Sequence, residues 1–96
     1  MFKIPRPNLI ESDEGFSIEV LQNTSTPPLL YREGTKSLRL ESELEPGPSG
    51  LCIFRNTIDK WDTPYQIEII DDAKREAIVD NIRRAFRFQG FEIGVL

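Results

Sequence analysis

No histidine occurs among the 96 residues of the chain. That removes imidazole acid–base chemistry, the nucleophile triads that depend on it, and the commonest side-chain metal ligand. The single cysteine, Cys52, excludes an internal disulfide and any zinc site made of Cys and His. No apolar run approaches the roughly 20 residues that cross a bilayer. Met1–Asn8 is short and interrupted by proline, with no apolar h-region, so it does not read as a signal peptide. Gly-rich phosphate loops and the G-x-S-x-G elbow are missing. Carboxylates are plentiful, yet no apolar setting is visible that would raise one and leave its neighbour ionised, as paired acid–base work needs. The expectation is a non-enzyme with no metal or cofactor. A cytoplasmic location follows as the default, because small secreted domains usually carry several bridges.

What is present is a globular composition, 39% hydrophobic and 29% charged, which separates the chain from disordered ones. Its length suits one domain over residues 1–96, with residues 1–14 as a leader or an irregular edge segment with a turn at Glu14–Gly15. The net charge of −4 is unevenly spread. Glu11–Asp72 holds thirteen acids and five bases, a balance of −8, whereas Ala73–Gly90 holds five bases and two acids, a balance of +3. An acidic surface disfavours nucleic acid and favours a basic partner. The plainer reading is that the acids keep the protein soluble.

Asp71–Leu96 is the clearest stretch. Asp71 or Asp72 suits an N-cap, since a carboxylate accepts from free backbone N–H groups. Ile78, Ile82, Ala85 and Phe86 share one helical stripe with Val79 at its edge, while Glu76, Asp80, Arg83 and Arg87 fall opposite. Asp80 can meet Arg83 or Arg84 one turn on. Gly90 is the stop, and Phe91, Ile93 and Val95 then alternate as a final strand that joins the sheet.

Before the helix the period is two. Phe16–Gln22 places Phe16, Ile18 and Val20 on one face. Asn23–Pro28 is a loop by composition. Leu29–Glu33 and Lys36–Leu44 make a hairpin across Gly34, with Leu38, Leu40 and Leu44 inward and Arg39, Glu41, Glu43 and Glu45 outward. Glu45–Gly50 is the strongest break in the chain. Leu51–Phe54 is apolar throughout, as a central strand covered on both faces should be. Asp59–Tyr65 reads as a loop carrying large aromatics, and Ile67–Ile70 as a short extended lead into the helix. The order β-β-β-β-α-β argues for an α+β fold: a mainly antiparallel sheet of about five strands with one C-terminal helix packed on it.

Three constellations carry chemistry. Arg83, Arg84 and Arg87 could hold phosphate, but an acidic domain favours a solvated helix face paired internally with Glu76 and Asp80. Glu41, Glu43 and Glu45 form an acidic row, either an exposed charged edge or a contact for a basic partner. Trp61 and Tyr65, flanked by Asp59, Asp62 and Glu68, combine aromatic anchors with acids. Against that stands the commoner fate of a lone tryptophan, which is to plug the core edge. Cys52 lies in an apolar run and reads as core.

The segments GFSIEV (Gly15–Val20), SLRLESEL (Ser37–Leu44), IDKWDTP (Ile58–Pro64) and above all IVDNIRRAFRFQGFEI (Ile78–Ile93) carry a resemblance. The chain is similar to small bacterial immunity proteins that neutralise the C-terminal toxin domains of polymorphic and contact-dependent growth inhibition systems. The likeness spans Gly15–Leu96 and leaves out the leader. It implies a cytoplasmic, non-catalytic protein that binds a cognate toxin domain, often a nuclease, and occludes its active site or substrate groove. No contact residue follows from the resemblance. On chemistry alone the candidate contacts are Glu41, Glu43, Glu45, Asp59, Trp61, Asp62, Tyr65 and Glu68. The other readings are a structural or regulatory domain that self-associates or docks on a cytosolic protein, and a nucleic-acid binder using Arg83, Arg84 and Arg87.

Overall fold

Alternation and turn chemistry build the first half of the chain. The computed structural model describes residues 1–22, 24–45 and 50–96. Five strands, β1 (Phe2–Arg6), β2 (Leu9–Ser12), β3 (Phe16–Val20), β4 (Leu29–Glu33) and β5 (Lys36–Leu40), form an antiparallel sheet in chain order. Register places Ile10 beside Ile18, Ile18 beside Tyr31 and Tyr31 beside Leu38. This row crosses four strands and is closed to solvent. A second row, Val20–Leu29–Leu40, runs parallel to it on the same face. The hairpin across Gly34 forms as its sequence suggests, with Gly34 at φ 61°.

The helix α1 (Asp72–Phe88) covers that face. Its N-cap is Asp71, whose carboxylate accepts from the Lys74 backbone N–H at 2.8 Å. The buried stripe is Ile78, Val79, Ile82, Ala85 and Phe86. Fully burying one such aliphatic side chain is worth about 1.5–3 kcal/mol, far more than helix propensity, so the stripe is what holds the helix on the sheet. Gly90, at φ 90°, ends it. The Phe91 N–H reaches the Phe86 carbonyl at 3.0 Å and the Gly90 N–H the Arg87 carbonyl at 2.9 Å. This paired closure needs a residue in the left-handed region, which glycine enters without steric cost.

A second, three-stranded sheet holds β6 (Ser42–Leu44), β7 (Leu51–Ile53) and β8 (Gly94–Val95). β7 is central and all three of its residues are buried, as its apolar run implies. β8 pairs parallel with it, placing Gly94 opposite Cys52. The α+β class, the five-stranded antiparallel sheet and the strands–helix–strand order agree with the sequence reading.

Several details differ. Residues 1–14 are an edge segment and not a leader, and they are regular: β1 and β2 form a hairpin that completes the large sheet, with β1 at its edge. Pro5 sits on edge strand β1, where the lack of an N–H is tolerated. Pro7–Asn8 makes the turn, with Asn8 at φ 68°, a conformation asparagine tolerates. The run Lys36–Leu44 is two strands in two sheets, and Leu44 is 54% exposed, not inward. Phe91 is also exposed, and the final strand is only Gly94–Val95, joined to β7 and not to the large sheet. The break at Glu45–Gly50 lies, between its end residues, outside the described residues, as does Asn23 of the Asn23–Pro28 loop.

Sheet and helix are also joined by a polar bolt. The buried Tyr31 hydroxyl donates to Glu33 Oε1 at 2.6 Å and accepts from Asn81 Nδ2 at 2.9 Å, while Lys74 pairs with Glu33. Burial, with the neighbouring Glu33 carboxylate, pushes the Tyr31 phenol far above its usual range. Burial also opposes ionisation of Glu33, but the Lys74 ammonium and the Tyr31 hydroxyl outweigh it and hold that carboxyl below its ordinary value. Tyr31→Phe removes a hydroxyl that serves both partners and is expected to cost about 1–2 kcal/mol in urea unfolding, with an unchanged denaturant slope.

Candidate functional site

The acidic segment Glu41–Glu45 begins where the chain leaves one sheet for the other. Leu40 and Ser42 point inward and are buried, and the Ser42 hydroxyl donates to the Pro27 carbonyl. Glu41, between them, is exposed. Its backbone N–H donates to Thr57 Oγ1 at 3.3 Å, and its carbonyl accepts from the Phe54 N–H at 3.3 Å. Glu43 lies opposite Cys52 on β6 and is exposed, as is Glu45. Glu41 and Glu43 border a groove of about 370 Å³ floored by Ser42 and Phe54. Burial pushes the Cys52 thiol up, and Glu45 and Glu43 add to it, a local sign of their negative field.

The loop from Asp59 to Ile70 closes over the free edge of β5. The Asp62 N–H donates to the Ser37 carbonyl at 2.8 Å. Trp61 is 3% exposed and stacks on Tyr31 with ring centroids 6.4 Å apart. It plugs the core edge and offers no ring to a partner. The ammonium of Lys36 lies 5.8 Å from the Trp61 ring and 5.7 Å from that of Tyr65, and it pairs with Glu68. The Tyr65 hydroxyl meets that of Thr35 at 3.2 Å. Trp61, Tyr65 and Glu68 thus bind this loop to the β4–β5 hairpin. Asp59 and Asp62 instead border a groove of about 330 Å³ that also takes in Thr57, Arg39 and Lys60.

Pairing separates these acids from the rest. Among the described residues, Glu41, Glu43, Glu45, Asp59, Asp62 and the helix cap Asp71 make no ion pair. The other acids each meet a base within 4 Å: Glu76 meets Arg55, Glu92 meets Arg87 and Glu19 meets both Arg6 and Arg32. The two groups of unmatched acids are linked through Thr57, which bonds the Glu41 backbone and lines the Asp59 groove. Glu41 and Glu43 border one groove and Asp59 and Asp62 the other, with Arg39 and Lys60 beside the second pair, and Thr57 joins the two halves of this acidic band.

The helix arginines do not assemble a comparable feature. Arg84 donates to Glu14 at 2.8 and 3.2 Å and to Asn81 at 2.7 Å, and lies 5.6 Å from the Phe16 ring. Arg87 pairs with Glu92, and Glu76 pairs with Arg55 and not with the helix arginines. Only Arg83 of the three lacks an ion pair among the described residues. No group of three metal-ligating side chains occurs among the described residues, and no helix there is long and apolar enough to cross a membrane.

Two residues escape sequence reasoning altogether. Ile67 and Ile69 are 90% and 86% exposed, although they read as part of an extended lead into the helix. Only Ile70 turns inward. The available signal is weak: an apolar–acid–apolar triplet just after Pro64 and Tyr65, with no opposing strand to bury it.

The family model described as immunity protein 74 matches residues 25–95, from the loop before β4 to the end of β8. No curated protein and no solved structure matched the chain. The matched span contains both halves of the acidic band and the whole helix. The chain belongs to the immunity protein 74 family, and is thus an immunity protein of a toxin system.

Proposed function

We propose that the protein neutralises a basic toxin domain, of which a nuclease is the leading case, by laying the band Glu41–Glu43–Glu45–Asp59–Asp62 against the surface that binds the toxin's substrate. The observation that carries this reading is the run of carboxylates without an ion pair among the described residues, where every acid outside the band except the helix cap Asp71 meets a base. A nuclease groove must be electropositive to hold phosphates, so a row of fixed carboxylates competes for it directly. Complementary charge also speeds encounter and disfavours wrong partners. Catalysis by the immunity protein is not required: binding alone excludes substrate. The inhibition takes place in the cytoplasm, where such a toxin meets nucleic acid.

Co-expression tests it. Expressed with its cognate toxin domain, the chain should rescue growth and co-purify as a complex whose dissociation constant rises with salt. Persistent growth arrest with no complex would sink the reading. A complex indifferent to salt would retain a partner but move the contact off the acidic band.

A further inference from the structure

We propose that Ile67 and Ile69 are the apolar anchor of the same interface, inserted into an apolar pocket on the toxin that is rimmed by basic groups. This rests on the immunity reading above and names the part of it that holds the complex together. Both side chains are almost wholly in water, 90% and 86% exposed, and neither contributes to the core. A pair of isoleucines held in solvent does nothing for folding, and exposed apolar surface rimmed by polar residues marks interaction sites.

The backbone under them is held on several sides. Lys60 and Ile69 form an antiparallel bridge. The Tyr65 N–H donates to the Asp62 carbonyl at 2.9 Å and the Glu68 N–H to the Tyr65 carbonyl at 3.0 Å. Glu68, between the two isoleucines, pairs with Lys36, and Tyr65 meets Thr35. The loop is therefore preorganised, which lowers the ordering cost of association. Gln66, next to Ile67, lines the same groove as Asp59 and Asp62, so the anchor continues the acidic band.

The charges choose the occupant. Asp62, Asp71 and Asp72 flank the pair in sequence, and a second copy of this chain would bring the same acids against them. Two isoleucines alone also fall well short of the roughly 1,000 Å² that a specific interface buries. A basic partner that covers the acidic band as well meets both demands.

The test is the double variant Ile67→Ser/Ile69→Ser, measured by surface binding against the cognate toxin domain whose toxicity the parent chain neutralises in co-expression. Because both positions are exposed, the free variant should unfold at the same temperature as the parent. Its complex should dissociate at least about a hundredfold faster, with an association rate and salt dependence close to those of the parent. Affinity within about threefold of the parent, in a parent complex that does form, overturns the anchor and leaves the immunity reading standing. If the parent forms no complex, the immunity reading falls and the anchor with it. A concentration-dependent dimer of the free protein, abolished by the two serines in sedimentation, would assign the isoleucines to self-association and also overturn the proposal.

Discussion

Ile82→Asp is expected to leave the chain without a cooperative unfolding transition at 25 °C. Ile82 is fully buried in the helix stripe, in the same core cluster as Ile10, Ile18, Tyr31 and Leu38 of the large sheet. The substitution removes an aliphatic side chain, at about 2–5 kcal/mol, and leaves a carboxylate either unpaired or protonated among apolar neighbours, at several more. Domains of this size have only about 5–15 kcal/mol in hand, so the combined cost reaches the whole stability. Arg83→Asp is the matching control. It brings the same carboxylate to the next residue, which is exposed and makes no ion pair among the described residues, and should change stability by about 0.5 kcal/mol or less. Far-UV circular dichroism through a thermal ramp separates the two. A folded Ile82→Asp variant would mean that this face of the helix does not carry the core.

The helix was legible because three independent signals agree along it. The apolar stripe has a 3.6-residue period, Asp71 supplies an acceptor at its start, and Gly90 supplies the left-handed residue at its end. The start of the chain was not legible, because its strand signal is diluted by features that suit an edge. Pro5, Lys3 and Arg6 on β1 blunt an exposed ladder, and the same residues look like a loose terminus in a linear reading. The run Lys36–Leu44 shows a different limit. Its alternation passes unbroken through Glu41, so nothing local marks the residue at which the chain changes sheets. That change depends on Thr57 and Phe54, more than ten residues ahead, bonding the Glu41 backbone. The final strand is similar: Phe91, Ile93 and Val95 alternate, but the pairing with β7 belongs to tertiary structure.

At the candidate site, charge was legible and exposure was not. Glu41, Glu43, Glu45, Asp59 and Asp62 make no ion pair among the described residues. Trp61, Tyr65 and Glu68 have the composition of a contact surface, yet Lys36 gathers all three. A single lysine can satisfy a carboxylate and two aromatic faces at once, and its position opposite Glu33 on β5 is fixed only by the hairpin register. The isoleucines were missed for the converse reason. Nothing local in the segment marks Ile70 as the one of Ile67, Ile69 and Ile70 that turns inward, and the bridge between Lys60 and Ile69 that holds this stretch is a tertiary contact.

Reversing Glu41, Glu43 and Glu45 to Lys should slow association with a basic toxin domain by about ten- to a hundredfold at low salt. Three reversals shift the local charge by six units on a surface where, among the described residues, these carboxylates make no ion pair. The folded chain should tolerate the change. All three positions are exposed, none loses an ion pair, and lysine suits edge strand β6. Salt then becomes diagnostic. At about 0.15 M the Debye length is about 8 Å, so raising the ionic strength should bring the association rates of parent and variant together. Net charge alone is a competing explanation, and Glu76→Lys/Glu92→Lys controls for it. Those acids are already matched, by Arg55 and Arg87, and lie outside the band. If the paired positions slow association as much per charge as the band does, steering comes from the whole molecule and the contact lies elsewhere. If the band alone slows it, and the isoleucine pair alone speeds dissociation, the two regions divide the interface between encounter and retention, as charged rims and apolar centres do in tight complexes.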